Sequence, residues 1–194
     1  MAISGDDATV VTGDAQGTPQ VYDATDSRGR GGDHHSKEAT AVLHLASSRN
    51  GSVIAATDSH GLYLYTRGGN LRGKTEFESP SALSLAANGT RVMVGGSHSV
   101  ILYNASSASI EKVGEYATGG RVDSLATSTD GTRTVAGTED KKVILLDARP
   151  AAWSGSHPTG DWANLVALYD DTSVITAGSM DKKLQVFFPN GTLR

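Results

Sequence analysis

The chain has 194 residues, of which 38% are hydrophobic and 20% charged, and it contains 23 glycines and no cysteine. These numbers predict one sizeable globular domain rich in turns, and they exclude disulfides, thiolate metal sites and thiol catalysis. A formal net charge of −4, without a long run of one sign, argues against a general nucleic-acid binder or membrane-surface binder.

The first predicted hairpin runs from Thr9 to Asp23, and similar hairpins follow along the chain. Each copy has an apolar strand, a short polar turn and a second apolar strand that ends in an aromatic or aliphatic residue. The later copies are Val53–Thr66, Arg91–Asn104, Thr138–Asp147 and Ser179–Phe188. The end residues lie 38 to 43 positions apart, and they are Tyr22, Tyr65, Tyr103, Leu146 and Phe187. A self-match at a nearly fixed period indicates a repeat architecture.

A further strand is predicted before each of the last four hairpins. The connecting dipeptides in three of these units are Asn50-Gly51, Asn88-Gly89 and Asp130-Gly131, which accept the positive φ of tight hairpin turns. The predicted strands are Ala41–Ala46, Ala82–Ala87, Val122–Ser128 and Asn164–Tyr169. By this interpretation the chain starts at a second strand, since no such segment precedes Thr9.

An outer, fourth strand is predicted in two units, at Leu71–Glu78 and Ile110–Ala117. The corresponding segments Ala24–Glu38 and Ala148–Asp161 are rich in Gly, Ser and charge, so there the outer strand is expected to be weak or lost. No segment has a convincing helical period.

Four strands every ~40–45 residues are typical of a β-propeller blade. We therefore predict an all-β chain of four-stranded antiparallel blades, about four to five in number. The predicted single domain, 1–194, has a partial blade at 1–39, three blades at 40–80, 81–120 and 121–161, and a last blade at 162–194 that lacks its outer strand.

The predicted blades do not make an obvious closed ring. Three alternatives stay open: a fragment of a larger ring, a half-propeller completed by a second copy, and a small closed ring. We favour an incomplete ring, because an open blade exposes backbone and apolar surface that a partner would cover.

Several short motifs resemble the WD-repeat family. They are the G-x-x-D segments Gly137–Asp140 and Gly178–Asp181, and the strand ends Tyr22-Asp23 and Leu146-Asp147. The family's terminal Trp is replaced by Tyr, Leu or Phe, so its hydrogen-bonded His–Asp–Ser–Trp set cannot form. The resemblance implies a propeller that binds proteins. The last two units also resemble blades of WD-repeat proteins that associate with actin and cofilin.

Two local motifs suggest ligand sites that the repeat explains more simply. Gly68–Thr75 matches the phosphate-loop pattern, but the following residues read as strand and turn, so a Gly-rich hairpin loop is favoured. Asp33, His34 and His35 are metal-ligand types in a Gly-rich loop without a further ligand nearby, so a solvated loop is favoured. We expect no metal and no cofactor.

The repeat itself provides a candidate binding face. Aligned on their end residues, four hairpins place a basic or titratable residue at the same position of the turn between second and third strands. These residues are His60, His98, Lys141 and Lys182. Arg121 and Trp162 precede first strands and are expected on the same face. Such a rim would attract an acidic peptide or another anionic ligand.

The leading functional hypothesis is a non-enzymatic interaction scaffold that docks a protein partner on this face. The alternatives are a structural subunit of an oligomer in which the propeller is completed in trans, and an actin- and cofilin-associated regulator. An enzyme is disfavoured because no nucleophile–base arrangement is evident. Without a secretion-signal pattern or an apolar run of ~18 residues, we expect a soluble cytoplasmic protein.

Overall fold

The computed structural model describes residues 1–25, 29–31, 40–106, 109–147, 152–169 and 175–187. Within these residues the chain forms nineteen strands and no helix. The strands make five antiparallel sheets, and in each sheet consecutive strands are neighbours. The predicted fold class, an all-β chain of four-stranded antiparallel blades, is confirmed.

Each sheet uses one contiguous stretch of the chain. The first sheet contains β1 (Ala2–Ile3), β2 (Thr9–Gly13), β3 (Pro19–Asp23) and β4 (Gly29–Gly31). The second contains β5 (His44–Ser47), β6 (Val53–Thr57), β7 (Gly61–Thr66) and β8 (Leu71–Glu76). The third contains β9 (Ala82–Leu85), β10 (Arg91–Gly95), β11 (Ser99–Asn104) and β12 (Glu111–Ala117). The fourth contains β13 (Val122–Thr127), β14 (Arg133–Thr138), β15 (Lys142–Asp147) and β16 (Ala152–Pro158). The fifth contains β17 (Leu165–Leu168), β18 (Ile175–Gly178) and β19 (Leu184–Phe187).

The predicted Asn-Gly and Asp-Gly hairpins have the expected backbone. Gly51, Gly89 and Gly131 have φ values of 66°, 72° and 72°, the left-handed region that glycine enters without steric cost. The residue before each glycine caps its own turn: the Oδ1 atoms of Asn88 and Asp130, for example, accept the backbone N–H two positions on, at 3.0 and 2.9 Å. The dipeptides therefore fix the pairing of first and second strands.

The structure contains three strands that the sequence analysis did not predict. β1 pairs with β2 through Ala2↔Val11 and Ile3↔Val10, so the chain does not start at a second strand. β4 and β16 lie in segments expected to be loop-like, and each pairs with the third strand of its sheet. Without an outer neighbour, the third strands of these two sheets would lack backbone hydrogen bonds on one side. The gain from pairing those groups outweighs the low strand propensity of Gly and Ser in β4 and β16.

Four apolar clusters form the core, one between each pair of consecutive sheets. Val11 and Val21 of the first sheet pack with Tyr65 of the second. Leu64 of the second sheet packs with Tyr103 of the third. Similar clusters join the third sheet to the fourth and the fourth to the fifth. Because every sheet is covered on both faces except at the two ends of the series, its middle strands are apolar on both sides.

The described sheets do not close into a ring. Every extensive contact between sheets joins neighbours in chain order, and no strand of the first sheet packs extensively on the fifth among the described residues. We call the side of a sheet toward the next sheet its front face, and the side toward the preceding sheet its back face. Among the described residues, no other sheet packs extensively on the back face of the first sheet or on the front face of the fifth.

We call the packed contact between two consecutive sheets a joint, and we expect His44 to make the joint between the second and third sheets sensitive to pH. Burial lowers the pKa of His44, and a hydrogen bond to the backbone of Pro80 opposes that shift only in part. A histidine whose folded-state pKa is lowered is protonated more readily in the unfolded chain, so its stabilising contribution is complete above the unfolded value of about 6.5 and is lost as the pH falls below it.

We expect the urea midpoint of the protein to fall between pH 7.5 and pH 5.5, and to fall less in His44→Gln, which cannot titrate. This window lies above the pKa range of carboxylates, so they contribute little. Urea titrations of both proteins at the two pH values measure the difference. An equal fall in both proteins would contradict the role given to His44.

Candidate functional site

Two sets of loops meet at one end of the sheets and form what we call the loop face. One set is the turns between second and third strands, and the other is the connections that enter the first strand of the following sheet. Backbone hydrogen bonds join each turn to the connection that leaves its sheet. The N–H groups of Phe77, Thr118 and Thr159 donate to the carbonyls of His60, His98 and Lys141 at 3.0, 2.7 and 2.8 Å.

The connections are also tied to the turns of the sheets they enter. The N–H of Glu139 donates to the carbonyl of Arg121 at 3.0 Å, and the N–H of Met180 donates to the carbonyl of Trp162 at 3.1 Å. The loop face is thus a row of backbone-bonded loops carried on rigid sheets, which holds its exposed side chains in fixed places.

An aspartate anchors the turn of the second sheet. Asp58 is buried, and its carboxylate accepts the N–H groups of His60 and Gly61 at 2.8 and 2.9 Å. The hydroxyls of Thr40 and Tyr63 donate to its other oxygen at 2.7 and 3.0 Å. Burial and the hydrogen bond to Asp58 raise the pKa of Tyr63 to about 12. Four donors satisfy the buried charge, so this aspartate is structural.

Asp140 and Asp181 occupy the corresponding turns of the fourth and fifth sheets. Burial alone would raise the pKa of Asp140, but hydrogen bonds from Lys142 and Thr138 and the charge of Lys142 outweigh it and hold the pKa below its usual value. For Asp181, burial is outweighed in the same way by bonds from Ser179 and Lys183. Both carboxylates are therefore ionised and internally compensated at neutral pH, which suits anchoring and not acid–base chemistry.

Lys141 and Lys182 are held in an unusual backbone conformation. Their φ values are 64° and 66°, in the left-handed region, where the first sheet has Gly17 at 82°. For a residue with a Cβ this conformation costs ~1–2 kcal/mol. The lysines occupy a position that glycine would fill with less strain, and such outliers are a reason to suspect a function.

The structure places all six predicted site residues on the loop face as exposed side chains, but it does not bring them into one cluster. His60 and His98 lie on the turns of the second and third sheets, and Nδ1 of His60 is 3.0 Å from the Ser59 hydroxyl. Arg121, Lys141, Trp162 and Lys182 lie on loops of the fourth and fifth sheets. The predicted rim is a row across four sheets, and its densest part is at the last two.

Much of the positive charge on the loops of the fourth and fifth sheets is paired. Arg121 contacts Asp123 at 2.8 Å and Glu139 at 3.0 Å, and Lys141 lies 3.5 Å from Asp161. Lys182 has no ion pair among the described residues. The local field is therefore weaker than a count of the cations suggests, and it is strongest at the fifth sheet.

Comparisons with known proteins do not assign the chain. No protein-family model matches the sequence, and no curated protein matches it either. The functional reading therefore depends on the geometry of the loop face.

Sequence reasoning missed two features of the loop face. Met180 is 56% exposed and Trp162 is 44% exposed, and the backbone hydrogen bond between them makes these two exposed apolar residues neighbours. Gly119 and Gly160 lie against Asp140 and Asp181, and a Cβ on either glycine would clash with the aspartate carboxylate. Each glycine precedes its aspartate by 21 positions, a constant offset that could have revealed the contact.

The local ligand motifs gain no support from the fold. Gly68–Thr75 forms a turn that leads into strand β8 instead of a helix, so it lacks the helix N-terminus of a phosphate loop. Asp33, His34 and His35 lie outside the described residues, and the described residues contain no group of three or more metal-ligand side chains. In the same part of the chain, no helix is long and apolar enough to cross a membrane.

Proposed function

We propose that the chain is a non-enzymatic, cytoplasmic interaction scaffold, a propeller of WD-repeat type that docks a protein partner on the loop face of its fourth and fifth sheets. The observation that carries the proposal is the exposed pair Trp162 and Met180, joined by a backbone hydrogen bond. Exposed Trp side chains on rigid supports are frequent energetic centres of protein interfaces, because they bury a large area at little entropic cost.

The charges around this pair favour an acidic partner. Lys182 follows Met180 by two residues, and Lys141 and Arg121 lie on the neighbouring loops. Asp161, which pairs with Lys141, and Glu139, one of the two partners of Arg121, are partly exposed, so a carboxylate of the bound protein can share these cations at a small cost. The other partner of Arg121, Asp123, is more buried and keeps its contact. Electrostatic attraction of this kind speeds association and selects against basic partners.

The strained lysines support the same interpretation. Left-handed Lys141 and Lys182 direct two long cationic side chains from equivalent turns, at a cost that Gly17 avoids in the first sheet. An interaction of these side chains with a partner would offset that cost. The pattern fits a partner that contacts adjacent sheets.

Selection of peptides from a displayed library against the immobilised protein tests the proposal. We expect the selected peptides to be acidic and to contain an apolar anchor. Trp162→Ala should weaken their binding about 30-fold, and Lys182→Glu or Lys141→Glu about tenfold, as measured by fluorescence anisotropy.

Lys112→Glu is the matched control for the charge reversals. Lys112 is as exposed as Lys141 and is also ion-paired, to Glu115, but it lies on the outer strand β12 and not on a loop. Equal losses for Lys112→Glu and Lys182→Glu would show that net charge matters and position does not. Cosedimentation with actin filaments and cofilin tests the regulator suggested by the resemblance, with Trp162→Ala as its control.

A further inference from the structure

The chain carries its oxidisable sulfur in methionine alone. It has three methionines and no cysteine, so no thiol competes for an oxidant. Met93 is 2% exposed in the core cluster between the third and fourth sheets, and its sulfur accepts the Thr127 hydroxyl at 3.4 Å. Met1 is 82% exposed and precedes the first sheet, whereas Met180 is 56% exposed on the loop face. Met1 and Met180 therefore carry the two sulfurs that a dissolved oxidant reaches.

A side-chain amide is directed at the Met180 sulfur. Nδ2 of Asn164 donates a hydrogen bond to Sδ of Met180 at 3.5 Å, and both side chains are exposed. A thioether sulfur is a weak hydrogen-bond acceptor. The oxygen of a sulfoxide carries more negative charge, so the same amide would bind it more strongly. Asn164 therefore favours the oxidised form of Met180 over the reduced form.

Met180 is also half of the apolar surface on which the proposed docking depends. Its backbone N–H donates to the carbonyl of Trp162 at 3.1 Å, and this bond keeps the two exposed residues adjacent. Oxidation turns a flexible apolar side chain into a polar one. An apolar group of the partner that packs on the thioether would have to displace water from the sulfoxide oxygen, which costs binding free energy.

We propose that Met180 is a reversible oxidation site for hydrogen peroxide, and that its sulfoxide weakens docking on the loop face of the fourth and fifth sheets. The effect on docking rests on the proposed function, whereas the selective oxidation does not depend on it. Lys141 and Lys182 keep their charges in both states. The oxidised protein therefore retains the electrostatic attraction and loses the apolar contact.

Hydrogen peroxide alone balances the oxidation. The Met180 sulfur attacks one oxygen of the peroxide, the O–O bond breaks as the S–O bond forms, and the second oxygen leaves as water with both protons. The sulfur loses two electrons, and the peroxide gains them. Methionine sulfoxide reductases return two electrons and restore the thioether, which makes the change reversible.

Peptide mapping by mass spectrometry tests the oxidation site. The full chain is treated with hydrogen peroxide at neutral pH, and the sulfoxide of each methionine is followed with time. We expect Met180 and Met1 to oxidise at least about 30-fold faster than Met93, because Met93 is buried. Equal rates at Met180 and Met93 would overturn the proposal.

Fluorescence anisotropy with the acidic peptides selected against the reduced protein tests the effect on docking. We expect the oxidised protein to bind them about tenfold more weakly, and the two reductases, one for each sulfoxide epimer, to restore the affinity. Met180→Leu is the matched control, because leucine has a similar volume and no sulfur. After the same peroxide treatment this variant still carries oxidised Met1 but should keep its affinity. Met180→Gln, which is polar without peroxide, should bind like the oxidised protein.

Failure of the oxidation effect can be told apart from failure of the docking site. Binding that falls in Trp162→Ala but not on oxidation of Met180 would contradict the effect of the sulfoxide and leave the docking site intact. An equal loss in peroxide-treated Met180→Leu would assign the effect to another residue and would also contradict the proposal. If no peptide is selected, the proposed function and the effect on docking both fail, while the mapping still decides whether Met180 is the oxidised residue.

Discussion

Replacing Gly137 with alanine is expected to lower the free energy of unfolding by about 3 kcal/mol, at the upper end of the usual cost of overpacking. Gly137 is the second-last residue of β14 and faces the fifth sheet, where an added Cβ would clash with the carbonyl oxygen of Ala163 and lie 3.0 Å from Cγ1 of Val166. The carbonyl is backbone and cannot rotate away, so the two sheets must separate. The melting temperature should fall by about 10 °C.

Gly178→Ala is the matched control. Gly178 holds the equivalent position of the fifth sheet, neither glycine has a positive φ, and an added Cβ on Gly178 makes only ordinary contact with Leu165. We expect Gly178→Ala to change the free energy of unfolding by less than about 0.5 kcal/mol. Urea titrations of both variants measure the difference. Similar losses of stability in the two variants would mean that the strand propensity of alanine, and not the contact between the fourth and fifth sheets, determines the effect.

The strands and turns could largely be predicted because their signals are local. The Asn-Gly and Asp-Gly dipeptides demand a left-handed backbone, and Gly51, Gly89 and Gly131 have it. The third strands have apolar residues on both faces, and the sheets pack on both faces except at the two ends. A repeat multiplies each local signal, because every unit must offer its neighbours the same surface.

What the sequence did not show depends on contacts between units. β16 forms although its segment is rich in Gly, Ser and Pro, because β15 needs an outer partner, and Gly155 at φ 144° lies at the irregularity in that pairing. The ion pair of Lys141 also depends on a contact between units, since Asp161 lies on the connection into the next sheet. A sequence scan counts the lysine as a free cation because the neighbour that compensates it is 20 positions away.

The candidate site stays a prediction, and the sequence gives only part of its surroundings. Alignment of the units puts Lys141 and Lys182 at equivalent turns, and the two lysines share a left-handed backbone there. The sequence does not show that Met180 and Trp162 are neighbours, because it is a backbone hydrogen bond between loops that brings them together. The alignment also puts Gly13, Gly95 and Gly137 at one position of their sheets, where each approaches the next sheet closely, although the second sheet has Thr57 there.

The second large effect is expected at Leu62. Leu62→Ala should lower the free energy of unfolding by about 3 kcal/mol, within the ~2–5 kcal/mol typical of a leucine truncated in a core. Leu62 is fully buried on the front face of the second sheet, in the cluster that includes Val94 and Tyr103 of the third sheet. Val94 and Tyr103 are held in place by their own strands, so they cannot completely fill the cavity that Leu62→Ala leaves.

Leu184→Ala is the control for Leu62→Ala, since the two leucines pair with Thr57 and Gly178 at equivalent points of their sheets. Leu184 is 72% exposed, so its truncation removes little buried area, and we expect a loss below about 0.5 kcal/mol in the monomer. Urea titrations of both variants measure the two losses. A large loss for Leu184→Ala would show that the front face of the fifth sheet is covered within one chain.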